Sequence, residues 1–259
     1  MGSKIRKAWV VLAIMISVGC AFTSAGAQTT PAALEGWQFQ AFPNLWFPGV
    51  AGYISAQGAI THRNLSLSDL FDTYDIGGGV YLEGRKGPWS LFLEPMYLNL
   101  STESTAGRLT ADIDLDEWIV EFGGAYQFVE VPLAGKEAIL LDMLLGGRYW
   151  SVENEINISG FPRRMDKESW IDPFVGLRLR INLSESLYLV ARGDIGGFNV
   201  GSEFSWGYSF LVGYRVSPCL SLQLGYRILD VNYDDGSGDN FFEYDVTMQG
   251  PIIGLTLQF

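Results

Sequence analysis

The chain has 259 residues, 17 basic and 29 acidic, with a formal net charge of −12 and 48% hydrophobic residues. That acidity excludes general nucleic-acid binding, which needs lysine and arginine to neutralise phosphates. The length suffices for one large domain, and two cysteines, Cys20 and Cys219, are too few for a disulfide-built scaffold.

The first segment, "MGSKIRKAWVVLAIMISVGCAFTSAGAQ", opens with Lys4, Arg6 and Lys7, runs apolar from Ala8 to Phe22 and closes on Ala25-Gly26-Ala27. This is the layout of a secretory signal peptide cleaved before Gln28. The apolar run falls short of the roughly 18–20 residues that cross a bilayer. A lipoprotein cut before Cys20 is the weaker variant, because Ser17 is a poor residue three places ahead of such a cysteine. Residues 1–27 are therefore expected to be removed, 28–35 to form a short linker and 36–259 to form the folded domain. Removal takes away three positive charges and leaves 14 basic against 29 acidic residues, a net charge near −15. Cys219 is then the sole cysteine, so no internal disulfide is expected.

From Gly36 onward the pattern is strands, in ten runs near 37–47, 75–85, 89–101, 111–129, 138–157, 168–183, 187–199, 203–216, 219–233 and 241–259. "WIVEFGGAYQF" places Trp118, Val120, Phe122, Tyr126 and Phe128 in one phase and Glu117, Glu121 and Gln127 in the other. "FVGLRLRINL" sets Val175, Leu177, Leu179 and Ile181 against Gly176, Arg178, Arg180 and Asn182. "FSWGYSFLVGYRV" sets Phe204, Trp206, Tyr208, Phe210, Val212, Tyr214 and Val216 against Ser205, Gly207, Ser209, Gly213 and Arg215. A period of two is a strand, and about ten residues is the length of a tilted membrane-spanning one. Tight turns at "KGP", "SES" and "SP" alternate with longer polar connections such as "TESTAGRL", "SGFPRRMDK" and "DDGSGDN". That asymmetry, with an even strand count, predicts an all-β, single transmembrane antiparallel up-and-down β-barrel of ten strands, both termini on the periplasmic side. Residues 49–65, "GVAGYISAQGAITHRNL", leave open a count of twelve, or an external ribbon.

A soluble lipocalin-like barrel would show the same alternation with the large apolar residues inside. Here the bulk sits in the apolar phase with aromatic rings toward strand ends, while the other phase is rich in glycine and paired charge. Trp206 and Tyr214 lie eight residues apart; at ~3.3 Å per residue and ~40° tilt that is roughly 20 Å of height, close to a lipid belt with aromatic girdles.

The chain ends "GPIIGLTLQF", with Leu255, Leu257 and the terminal Phe259 in one phase. This resembles the C-terminal signature of bacterial outer-membrane barrels, which implies recognition of Phe259, Leu257 and Leu255 by the barrel-assembly machinery. "GWQFQAFPNLWFPGVAG", "SLSDLFD", "LLGGRYWSV", "DPFVGLRLRINLS", "GDIGGF" and "LGYRILDVNY" together resemble a largely uncharacterised family of proteobacterial outer-membrane barrel proteins. More distantly the chain is similar to small barrels of the OmpA and OmpW type. The resemblance implies the fold and an outer-membrane location, with lipid and lipopolysaccharide as surroundings. It implies no activity, cofactor or catalytic residue.

By parity Glu83, Arg85, Glu94, Glu117, Glu121, Asp142, Arg148, Arg178, Arg180, Arg192, Asp194, Arg215 and Arg227 mostly project inward. Either they pair as arginine–carboxylate networks that fill a small barrel, or they line and gate a pore. The one histidine, His62, stands in "AITHRNLSLSDLFD" near Ser66, Ser68 and Asp69, where a solvated loop histidine is the plainer reading than a catalytic triad. "SLSDLFDTYD" reads as a short helix capped by Ser68. Asp112, Asp114 and Asp116 share one strand face, and Asp230, Asn232, Asp234, Asp235 and Asp239 faintly resemble a calcium loop. Gly236 is displaced by one and no closing glutamate follows, so solvated acid is the plainer reading, with divalent bridging to lipopolysaccharide phosphates the alternative. Three functional classes remain: a narrow passive pore for small solutes or ions, a non-conducting structural or surface-interaction barrel, and a lipid-modifying enzyme. The narrow passive pore is the expected function, the non-conducting barrel is its alternative, and no enzyme activity is expected.

Overall fold

In the computed structural model, residues 36–56, 59–65, 77–106, 109–132, 138–158, 164–237 and 241–259 are described. The expected signal peptide, the linker and the short helix at 68–75 lie outside them. All regular structure among the described residues is strand: β1 (Gln38–Trp46), β2 (Gly49–Ala56), β3 (Ala59–Leu65), β4 (Gly77–Lys86), β5 (Trp89–Ala106), β6 (Leu109–Pro132), β7 (Ala138–Ile158), β8 (Arg164–Asn182), β9 (Leu187–Gly197), β10 (Phe204–Ser217), β11 (Leu220–Asp235) and β12 (Phe242–Gln258).

The ring closes through β1. On one side β1 pairs with β4, from Gln38↔Arg85 to Trp46↔Gly77, and on the other with β12, from Gln40↔Gln258 to Trp46↔Ile252. Antiparallel neighbours run from β4 through β12, so ten strands form a closed barrel without an edge. Pro48, which lacks an N–H, breaks the first strand, and β2 resumes its course along β12 from Gly49↔Gln249 to Ala56↔Phe242. β3 folds back on β2 alone. Residues 49–65 are thus a ribbon extending the wall, and the closed ring has ten strands.

Tight turns gather at the end that carries the C-terminus. Gly87 takes φ 58 in one of them, and in another Ser184 Oγ accepts from the Leu187 N–H at 2.9 Å. At the opposite end the described residues of "TESTAGRL" are strand. β5 runs to Ala106 and β6 starts at Leu109, so the connection is the tip of a tall hairpin. The backbone register continues through Thr102↔Ile113 and Thr105↔Thr110 to Ala106↔Leu109.

Outward residues form an apolar belt. Leu145 is 67% exposed, Leu91 64% and Val216 60%, exposures that only a lipid solvent makes inexpensive. Trp37, Phe39, Trp89, Tyr126, Phe128, Tyr214 and Phe259 are exposed at the turn end, and Trp118 and Phe204 at the other. On β6 the belt runs from Phe128 to Trp118; ten residues at ~3.3 Å each and ~40° tilt span about 25 Å, the height of an outer-membrane apolar band.

Above the belt the polarity inverts. Along β11 the outward residues change from Leu222, Leu224 and Tyr226 to Asp230 and Asn232, while the inward ones change from Gln223 and Arg227 to Leu229, Val231 and Tyr233. β12 does the same: Phe242, Tyr244, Val246 and Met248 are buried inside, with Asp245 and Gln249 exposed outside. The upper barrel is built like a soluble protein.

Candidate functional site

The lumen is filled in tiers. The uppermost is apolar and aromatic, with Trp46, Met96, Ile119, Trp150, Trp170, Tyr233, Tyr244 and Met248 in one buried cluster. It crosses the barrel: Trp170 on β8 stacks on Tyr233 of β11 at 3.9 Å between ring centroids, and meets Trp150 at 5.8 Å and Tyr244 at 5.9 Å. Glu117 is fully buried in this tier beside Tyr244. Asp172, also fully buried, accepts from Trp150 Nε1 at 2.9 Å and from the Ser202 N–H at 2.7 Å.

The middle tier is ionic and spans the diameter. Glu121 on β6 receives Arg148 Nε at 3.0 Å, Arg192 Nη2 at 2.6 Å and Arg227 Nη2 at 2.8 Å. β11, which carries Arg227, lies five strands from β6, directly across the ring. Asp194 takes Arg148 Nη2 at 2.6 Å and Arg192 Nη2 at 3.1 Å, and Glu94 takes Arg227 Nη1 at 2.9 Å. Aromatic faces cover the guanidiniums, with Phe174 5.3 Å from Arg148 and 5.4 Å from Arg192. Burying such charges is tolerable only because every carboxylate is met, several of them more than once.

The third tier lies toward the turn end. Arg178 grips Glu83 through Nη1 at 2.6 Å and Nη2 at 3.0 Å and reaches Asp142 at 2.7 Å. Arg85 joins the same two acids at 3.2 and 3.0 Å. The Tyr81 hydroxyl and the Gln40 amide also donate to Glu83. Glycine in this phase makes room. A Cβ on Gly213 would sit 2.1 Å from the Tyr188 ring, and one on Gly207 3.1 Å from Asp194 and 3.2 Å from Arg148. Below, Gln223 Nε2 donates to the Tyr188 hydroxyl at 2.9 Å and to Thr256 Oγ1 at 2.7 Å.

The structure thus brings ten of the thirteen inward charges into two ionic tiers; Arg180 and Arg215 lie near the lower one, and Glu117 stands apart in the aromatic tier. Asp172, Tyr81, Tyr188 and Gln223 are lumen residues that the sequence reading did not single out. Asp172 shares its phase with Arg178 and Arg180, and that parity was the available signal.

Other candidates are not assembled into a site. His62 lies in β3 opposite Tyr53, while Ser66, Ser68 and Asp69 fall outside the described residues. Asp230 accepts from Thr247 Oγ1 at 2.5 Å, Asp234 and Asp235 are exposed, and Asp239 is outside the described residues. No group of acids, histidines or cysteines among the described residues is placed to hold a metal ion. At the seam, Phe259 and Phe39 exchange backbone hydrogen bonds at 2.9 and 3.0 Å, and their rings stack at 6.1 Å. Leu257 and Leu255 of β12 pair in register with Leu220 and Leu222 of β11.

No protein-family model matches the chain, and no curated protein matches it. Solved structures do. The outer-membrane protease OmpT of Escherichia coli is similar with a TM-score of 0.55 and 11% identity, over 90% of this chain and all of that one. The attachment invasion locus protein Ail of Yersinia pestis is similar with a TM-score of 0.40 and 10% identity, over 87% of this chain and all of that one. Neisserial surface protein A is similar with a TM-score of 0.34 and 12% identity, over 86% of this chain and 97% of that one. The apolar belt, the closed ten-strand ring and the OmpT likeness together give this chain the fold of a bacterial outer-membrane β-barrel.

Proposed function

We propose that the chain resides in the outer membrane, turn end toward the periplasm, as a closed barrel that conducts nothing and serves as a structural or surface-interaction scaffold. One observation carries this reading: the aromatic tier, centred on the Trp170–Tyr233 stack at 3.9 Å, occupies the lumen from wall to wall. Ions need a continuous wet path, and a packed apolar tier excludes water. The ionic tier beneath adds a second barrier whose members are held by one another. The tall β5–β8 wall and the β2–β3 ribbon then present strand surface outside the lipid. Outer-membrane lipid, lipopolysaccharide and the barrel-assembly machinery are its natural partners in this role, and no catalytic residue is assigned. Planar-bilayer recording of the refolded barrel tests it. A quiet bilayer is expected. Reproducible unitary steps would reject the closed lumen and restore the passive pore.

A further inference from the structure

A cavity of about 120 Å³ runs beside the ionic tiers to the turn end, lined from Leu229 and Ile252 at one end to Arg215 and Thr256 at the other. At roughly 30 Å³ per water it holds a few waters or one small oxyanion. Its walls carry excess positive charge, although the chain as a whole has a net charge of −12.

The excess has an address. In the middle tier three arginines face three carboxylates: Arg148, Arg192 and Arg227 against Glu94, Glu121 and Asp194. In the third tier Arg85 and Arg178 share Glu83 and Asp142, two against two. Arg180 and Arg215 are left over, and both line the cavity. Arg180 makes no hydrogen bond or ion pair with any described residue. Its charged neighbours are Arg178 and Arg85, with Glu83 and Asp142, whose oxygens already accept from those two arginines. Among the described residues Arg215 donates to neutral oxygens, the Ser184 and Glu185 carbonyls at 3.3 and 3.0 Å and Asn182 Oδ1 at 2.6 Å, and it lies over the Tyr188 ring. The nearby acids Glu130 and Glu185 are exposed at the rim. A half-buried guanidinium without a counter-charge costs free energy unless a ligand supplies one, and its fork of donors fits an oxyanion. Hydroxyl donors stand ready as well. Tyr188 and Thr256 spend their oxygens on Gln223 Nε2, so their own protons remain to be donated.

We propose that this cavity binds a small oxyanion (phosphate, sulfate or the carboxylate of a small organic acid), with Arg180 as its principal counter-ion and Arg215 at the entrance from the turn end. The site stands whether or not the barrel conducts.

The test uses the complete barrel refolded in zwitterionic detergent at low ionic strength. Sodium phosphate and sodium sulfate are titrated by calorimetry, and the urea midpoint is read with and without each salt. The wild type is expected to bind with one-to-one stoichiometry and to gain midpoint. Arg180→Gln should fold, because no described partner is orphaned, and should lose at least about tenfold in affinity, the equivalent of about 1.4 kcal/mol. Arg180→Lys should keep part of it, and Lys167→Gln, on the outer surface, all of it. If Arg180→Gln fails to refold, Arg215→Gln carries the same expectation. Absence of heat and midpoint shift at millimolar salt, or equal binding by wild type and Arg180→Gln, would overturn the proposal. Neither outcome depends on the conductance recording.

Discussion

Replacing Glu121 by glutamine removes one negative charge from a site that three arginines share at 2.6–3.0 Å. The shape is kept, but an amide NH₂ now faces guanidinium donors, and the tier changes from three against three to three arginines against Glu94 and Asp194. Glu121 and Arg148 are both 0% exposed, so water offers no screening. Breaking a buried pair by removing one partner costs about 3–5 kcal/mol. That is roughly two to three and a half decades in the folding constant. The assay is urea unfolding of the barrel in lipid vesicles, followed by tryptophan emission and by heat-modifiable electrophoretic migration. Adding Arg192→Met to Glu121→Gln restores neutrality and leaves the Arg148–Asp194 and Arg227–Glu94 pairs intact. The double variant should therefore regain at least half of the loss. A Glu121→Gln barrel within about 1 kcal/mol of wild type, well under that range, would refute the reasoning. So would a double variant whose loss is the plain sum of the two single losses.

On β10, Phe210 faces lipid and Gly213 faces the lumen under the Tyr188 ring. Phe210→Arg should cost about 2–4 kcal/mol by exposing charge to the bilayer core, and Gly213→Leu should expel Tyr188 and break its bond to Gln223. Spin labels check the sidedness: oxygen should relax a label at 210 and a water-soluble reagent one at 209, and the reverse pattern would exclude this membrane orientation. Deleting Phe259 removes the Phe39–Phe259 exchange that ties the last strand to the first; membrane insertion should fall and protease-sensitive chain accumulate, whereas an unchanged yield of heat-modifiable barrel would show that Phe259 is dispensable.

The ring was legible because alternation over ten residues is a strong signal and the seam has apolar residues on both sides. Trp118, Phe122, Tyr126 and Phe128 are exposed, as a lipid-facing phase must be. The two-residue tip after Ala106 was hidden behind polar composition, since Ser, Thr and Glu suit a water-exposed strand as well as a loop. The inward charges could be named from parity, but not their partners. Arg178 on β8 meets Glu83 on β4 across the lumen, and nothing local in either strand specifies that register. The aromatic tier was missed for a different reason. Trp150 follows Arg148 by two residues and Tyr233 follows Arg227 by six, so the charged phase itself turns apolar. A reading that gives each phase one character along its whole length cannot see this.

The switch in character is itself informative, because it locates the lipid boundary. Just above Trp118 the outward residue is Asp116, which accepts from the Tyr97 hydroxyl and from Asn99 Nδ2 at 2.8 Å, and its partner across the sheet is Glu153 on β7. At that level the outer solvent changes from hydrocarbon to water, and the hydrophobic effect changes sides with it. Below the boundary apolar groups gain little by facing inward, so the lumen is free to hold arginines, carboxylates and a polar cavity. Above it the exterior is satisfied by charge, and the wall stays together only by burying Trp150, Trp170, Tyr233 and Tyr244 inside. The plug is thus what a barrel taller than its membrane needs for its own stability. The closed lumen proposed above would follow from it, and the arginine excess at Arg180 and Arg215 lies on the turn-end side of that plug.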